Sequence, residues 1–161
     1  MRQLAGVCAV IWIAVLTSGC VRNVSASAAL QMDFVASGWV PVEVAPGHSK
    51  IVPALSFQLR NVSGRATGVV QVNAIFHRGT DSAEWGNAFQ TAAGSSGIAA
   101  GASTGHILLA SRQGYTGSDG PADLLENSNF VDARVDLYSR SGADAWTKIG
   151  EFPVTRVLLN P

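Results

Sequence analysis

From Met32 onward the chain reads as short runs of alternating apolar and polar residues, the two-residue period of strands with one buried face. The clearest run is 54–61, where Leu55, Phe57 and Leu59 share one face and Ser56, Gln58 and Arg60 the other. Residues 68–77 repeat the pattern. There Val70, Val72, Ala74 and Phe76 oppose Gln71, Asn73 and His77, while Val69 and Ile75 give the second face some apolar cover. These two segments are the best candidates for the centre of a sheet. Residues 130–140 alternate again, with Val131, Ala133, Val135 and Leu137 inward against Asp132, Arg134, Asp136 and Tyr138 outward.

Weaker strand signals fall between and around these runs. Residues 34–44 carry Trp39, Val40, Val42 and Val44, and Pro41 within them predicts an edge strand, because proline cannot donate a ladder hydrogen bond. Residues 85–90, 106–110, 146–152 and 154–159 supply further short strands, the last two separated by Pro153. Pro46-Gly47, Asn61-Val62-Ser63-Gly64 and Ser141-Gly142 mark turns, residues 92–105 a long glycine-rich connection, and 113–121 a loop. Residues 121–128, opened by Pro121, suit a single helical turn. About seven to eight short strands and no amphipathic helix predict an all-β fold, with an immunoglobulin-like antiparallel sandwich as its natural form.

Residues 1–31 follow a different pattern. Arg2 precedes an apolar run from Leu4 to Leu16 of about 13 residues, which is signal-peptide length, whereas a spanning helix needs roughly 20. Leu16-Thr17-Ser18-Gly19-Cys20 ends that run and resembles the lipobox of bacterial lipoproteins. Ser18, Gly19 and Cys20 match its last three positions; Leu16 lies one place early, and Thr17 stands where Leu is commonest. The resemblance implies cleavage between Gly19 and Cys20 and acylation of Cys20, and Val21 after the cysteine resembles the pattern sent to the outer membrane. Residues 1–19 are then a removed signal, 20–31 a lipidated cysteine with a short flexible tether, and 32–161 the sandwich domain. Nine tether residues reach only about 15–18 Å, so the domain is expected to ride close to the bilayer. The alternative is cleavage after Ala26-Ser27-Ala28, which would release a soluble periplasmic protein.

Loss of residues 1–19 from 161 leaves 142, which suits one domain. Cys8 would leave with the signal and Cys20 would carry lipid, so no cysteine remains for a disulfide or thiol chemistry. Removing Arg2 leaves 10 basic against 11 acidic residues, a net charge near −1 that gives no field for nucleic acid or anionic lipid.

Three segments together carry a second resemblance: Leu55-Ser-Phe-Gln-Leu-Arg-Asn-Val-Ser-Gly64, then Gly68-Val-Val-Gln-Val-Asn-Ala-Ile-Phe76, then Ala99-Ala-Gly-Ala102 before a strand. Over about a third of the chain they resemble the FxLYD type of immunoglobulin-like bacterial exported domain, with Ala-Gly at Gly101 where that family has Pro-Gly. The resemblance implies fold and export, and it carries no catalytic residues.

Candidate chemistry is sparse. His48, His77 and His106 lack the i, i+2 or i, i+4 spacing that brings two imidazoles to one ion, so no metal site and no cofactor is expected. Asp132 and Asp136 share a strand face about 13 Å apart, too far for a glycosidase pair, and with Arg134 between them they read as a solvated row. Gly94-Ser-Ser-Gly97 is too short for a nucleophile elbow, residues 101–105 lack the lysine of a phosphate loop, and Ser118-Asp119-Gly120 has too few acids nearby for calcium. Trp39, Trp85, Tyr115 and Trp146 lie at strand ends or beside polar residues, either as a platform for sugars or as plugs for the ends of the core. The expected function is a non-catalytic accessory module that meets another envelope protein, with carbohydrate or peptidoglycan binding on the aromatics as the alternative.

Overall fold

The computed structural model describes residues 29–160. Among them run β1 (Leu30–Glu43), β2 (Ser49–Asn61), β3 (Val70–Arg78), β4 (Gly86–Ala93), β5 (Ile107–Ala110), β6 (Tyr115–Gly117), a helix α1 (Pro121–Glu126), β7 (Ala133–Ser141) and β8 (Thr147–Val154). They form two antiparallel four-stranded sheets. One is ordered β1-β2-β5, with β6 lying end to end with β5 along the same flank of β2; the other is ordered β4-β3-β7-β8. The fold is an all-β sandwich whose strand connectivity is immunoglobulin-like. The two best alternating segments, β2 and β3, each occupy the interior of a sheet, but of different sheets, so Asn61-Val62-Ser63-Gly64 begins a crossover and not a hairpin.

The core is what the alternation dictates. Leu55, Phe57 and Leu59 of β2 are fully buried, as are Val70, Val72, Ala74 and Phe76 of β3 in the other sheet and, beside them, Val135 and Leu137 of β7. Asn61 ends β2 with its whole side chain enclosed. Its amide nitrogen donates to the carbonyls of Arg65 and Ile98 at 2.8 Å each, and its oxygen accepts from the Ser63 amide at 2.9 Å. One side chain thus ties the β2–β3 crossover to the β4–β5 connection, adding to the Thr67 amide that also donates to the Ile98 carbonyl and the Ser63 hydroxyl that also donates to the Arg65 carbonyl. An apolar residue there would lose the link.

Prolines sit where no donor is needed. Pro41 lies on the edge strand β1, as its chemistry predicts. Pro53 is the less expected case, fully buried within β2, a strand with partners on both sides. It falls between the stretch of β2 paired with β6 (Ser49, Lys50, Ile51) and the stretch paired with β5 (from Ala54), so its missing N–H meets a gap between partners.

Several boundaries differ from the sequence reading. Strand β2 begins at Ser49, because Ile51, Val52 and Ala54 are buried on both faces and hide the alternation there. Val131 is exposed, β7 starting only at Ala133. The 113–121 loop contains the short strand β6. The final stretch forms no regular strand: β8 runs through Pro153, and the chain then crosses β1, where the Trp39 amide donates to the Val157 carbonyl and the Leu159 amide to the Trp39 carbonyl, both at 2.8 Å. Leu159 there covers Val40, Val52 and Ala54 on the outer face. Gly38 permits this approach, since a Cβ on it would lie 2.7 Å from the Val157 carbonyl oxygen and 2.9 Å from the Leu159 side chain.

A Gly38→Val variant is therefore expected to lose about 2 kcal/mol in urea unfolding through displacement of the C-terminal segment. Gly64→Ala, where a Cβ meets nothing within 4 Å, is expected to unfold at the parent's midpoint.

Candidate functional site

The outer face of the β4-β3-β7-β8 sheet carries most of the paired charge. Asp136 points outward as the alternation requires, but it is buried and not solvated. Lys148 Nζ of β8 lies 3.0 Å from Asp136 Oδ1, Arg134 Nη1 3.4 Å from the same oxygen, and His77 Nε2 3.4 Å from Oδ2. His77 is itself buried, and its Nδ1 is 2.9 Å from the Ala83 carbonyl oxygen. Lys148 also bonds Glu151 at 2.7 Å, and these two carboxylates, Glu151 first, hold its ammonium pKa above the ordinary lysine range. Long side chains from three strands thus roof the aspartate, which corrects the solvated Asp-Arg-Asp row. Asp132 takes no part in the cluster. It pairs with Arg156 at 2.6 Å on the exposed surface, and that hydrogen bond holds its carboxyl below the ordinary range. Every acid of this face is engaged by a cation in a way that stabilises a sheet surface.

The four aromatics singled out in the sequence separate into two groups. Trp39 is wholly enclosed and packs against Trp85, Tyr115 and Phe130, with ring centres 6.3, 5.6 and 4.8 Å away. Tyr115 holds this end plug together: its hydroxyl donates to the Val131 carbonyl at 3.1 Å and accepts from the Val131 amide at 3.2 Å and from Arg78 Nε at 3.0 Å. Phe130 is missed by the sequence reading because it opens the 130–140 alternation out of phase with the inward set; it is buried, and β7 begins only at Ala133. Trp146 lies elsewhere, on the outer face of the second sheet, edge-on to Phe89 at 6.2 Å and beneath the Arg140 guanidinium at 4.8 Å.

Of the three histidines, His48 and His106 are exposed and distant in sequence from the buried His77. Among the described residues no three His, Cys, Asp or Glu side chains converge as metal ligands. Gly19 and Cys20, the cleavage and lipidation residues, lie outside the described residues.

The two long sides of the sandwich are finished differently. On one, β1 meets β8 and the C-terminal segment: Ser37 Oγ donates to the Pro153 carbonyl at 2.8 Å, and Phe34 stacks on Phe152 at 5.5 Å. On the other, β4 and β5 end their sheets without pairing to each other, and between them lies a groove of about 410 Å³ lined by Phe89, Gln90, Leu108 and Arg112 among others. Strand β4, Gly-Asn-Ala-Phe-Gln-Thr-Ala-Ala, contains no charge and no proline over its 8 residues. Phe89 is 56% exposed beside it. Apart from a bulge at Ala92 near its C-terminal end, this edge presents unpaired amides and carbonyls from Asn87 to Thr91 without the lysines or prolines that usually deter pairing.

Compared with known proteins, the chain matches no protein-family model, no curated protein and no solved structure.

The contrast between the two aspartates is measurable. Asp136→Asn leaves the cations Lys148 and Arg134 around a neutral amide and is expected to cost about 2 kcal/mol, a value reduced by the partial exposure of both. Asp132→Asn should cost under about 1 kcal/mol, because its partner is on the open surface. The Asp132 contribution is complete above the ordinary carboxylate range and fades only as pH falls through its lowered native value.

Proposed function

We propose that this chain is an exported lipoprotein, held at the periplasmic face of the outer membrane by acyl chains on Cys20, and that its sandwich is a non-catalytic module that docks another envelope protein along β4. The reading of residues 1–20 as a lipoprotein signal, and the resemblance to FxLYD domains, belong to the same proposal. The observation that carries the docking half is the uncharged edge of β4, which beyond Gly86 pairs with no strand other than β3. An extended partner segment adding to that edge would gain main-chain hydrogen bonds, and alternate apolar side chains would enter the groove beside Phe89 and Leu108. Arg112 at the groove favours an acidic residue in that segment.

The alternative, a carbohydrate or peptidoglycan platform, has weaker support. Stacking on sugars needs an open ring face; Trp39 has none, and Trp85 and Tyr115 are packed against it. Trp146 alone is exposed, at 38%, with Arg140 over its ring.

Two measurements test the proposal. Mass spectrometry of the mature protein is expected to show an N-terminal Cys20 carrying acyl chains, and an unmodified thiol at Cys20 or a mature start at Ala29 would contradict acyl anchoring. A photo-crosslinking residue at Gln90 of β4 is expected to trap a discrete envelope partner in living cells, one at Glu151 of β8 none, and Phe89→Lys with Thr91→Lys should abolish the Gln90 product. Equal labelling from both strands, or labelling that survives the lysines, would remove the docking surface.

A further inference from the structure

Beside the aromatic plug, at the end of the sandwich formed by β6, α1 and the approach to β7, lies a cavity of about 310 Å³. Its apolar wall is Tyr115, Leu124 and Phe130, and Arg78, Asp119 and Asn129 are on its polar side. Arg78 is fixed before any ligand arrives. Its Nε donates to Tyr115 Oη at 3.0 Å, its guanidinium carbon lies 5.4 Å from the Tyr115 ring centre, and Tyr115 is in turn anchored at both polar groups of Val131.

Among the described residues, Arg78 bonds no carboxylate, so the two terminal nitrogens of its fork are free of protein partners. Asp119 likewise pairs with no cation, and although it lines the same cavity it is not within ion-pair distance of Arg78. Opposite charges facing one partly apolar cavity without neutralising each other match a ligand that carries both charges itself. A guanidinium held by stacking and by its Nε offers two parallel donors to a carboxylate at little entropic cost.

We propose that this cavity binds a small zwitterion of the amino-acid or dipeptide class, its carboxylate on Arg78, its ammonium on Asp119 and its apolar side chain against Tyr115, Leu124 and Phe130. The site is separate from the β4 edge, and neither proposal depends on the other.

The test uses the protein purified in detergent, titrated with leucyl-leucine, its N-acetyl form and its C-terminal amide, and followed by calorimetry and by the NMR signals of Tyr115 and Leu124. The zwitterion is expected to bind saturably at millimolar concentrations or below and to shift both signals. The amide should bind at least about tenfold more weakly, as should the zwitterion to Arg78→Gln. Asp119→Asn, at an exposed position outside the hydrogen bonds that hold Tyr115, should weaken the zwitterion and leave the N-acetyl form unaffected. Absence of saturable binding, equal binding of all three compounds, or binding indifferent to both substitutions would overturn the proposal.

Discussion

A strand at the edge of a sheet carries a row of amides and carbonyls with no partner, and the disposal of those groups governs most of what is particular about this sandwich. Edge β1 is covered where the C-terminal segment bonds Trp39, and Pro41 beside it needs no acceptor. Edge β8 carries Pro153, Lys148 and Glu151. Strands β5 and β6 divide one flank of β2 between them, and Pro53 sits at the junction. Gly38 exists to let the C-terminal cover come close. With those three edges protected or shortened, β4 alone is long, neutral and open. Between Gly86, against which Ser111 and Gln113 lie, and the bulge at Ala92, this edge has a stretch suited to strand addition.

Cohesion between the sheets comes from packing and from buried polar links. No cysteine occurs among the described residues, so the inner faces of β2, β3 and β7 must supply the stability that a disulfide supplies in many exported sandwiches. Asn61 adds what packing cannot. It holds two crossover connections in register by donating from one buried amide to a carbonyl of each. The Asp136 cluster does similar work on the outer face, locking β3, β7 and β8 through side chains at the cost of desolvating one carboxylate.

Much of the architecture was legible in the alternation of β2, β3 and β7, because a sheet with one buried face writes its period directly into the sequence. Depth of cover was not legible. A period of two tells which side Asp136 points to, and that Arg134 of the same strand stands beside it, but whether that side is wet depends on His77 and Lys148 arriving from other strands. Trp39 was ambiguous for the same reason, since a lone ring beside Pro41 has no periodic neighbours to assign its face. Strand β6, with only 3 residues beside Gly114 and ending at Gly117, carries too few side chains to show a pattern. The openness of β4 was visible only in part: its lack of charge is in the sequence, while its place at an uncovered edge is a property of the topology.

The most direct test compares amide hydrogen exchange in the protein within its native membrane and after purification in detergent. If β4 serves as a docking edge, Gly86–Ala93 will be protected in the membrane and will exchange faster once purified, while β1 and β8 keep the same protection in both states. Identical exchange of β4 in the two preparations, or a change confined to β1 or β8, would contradict it.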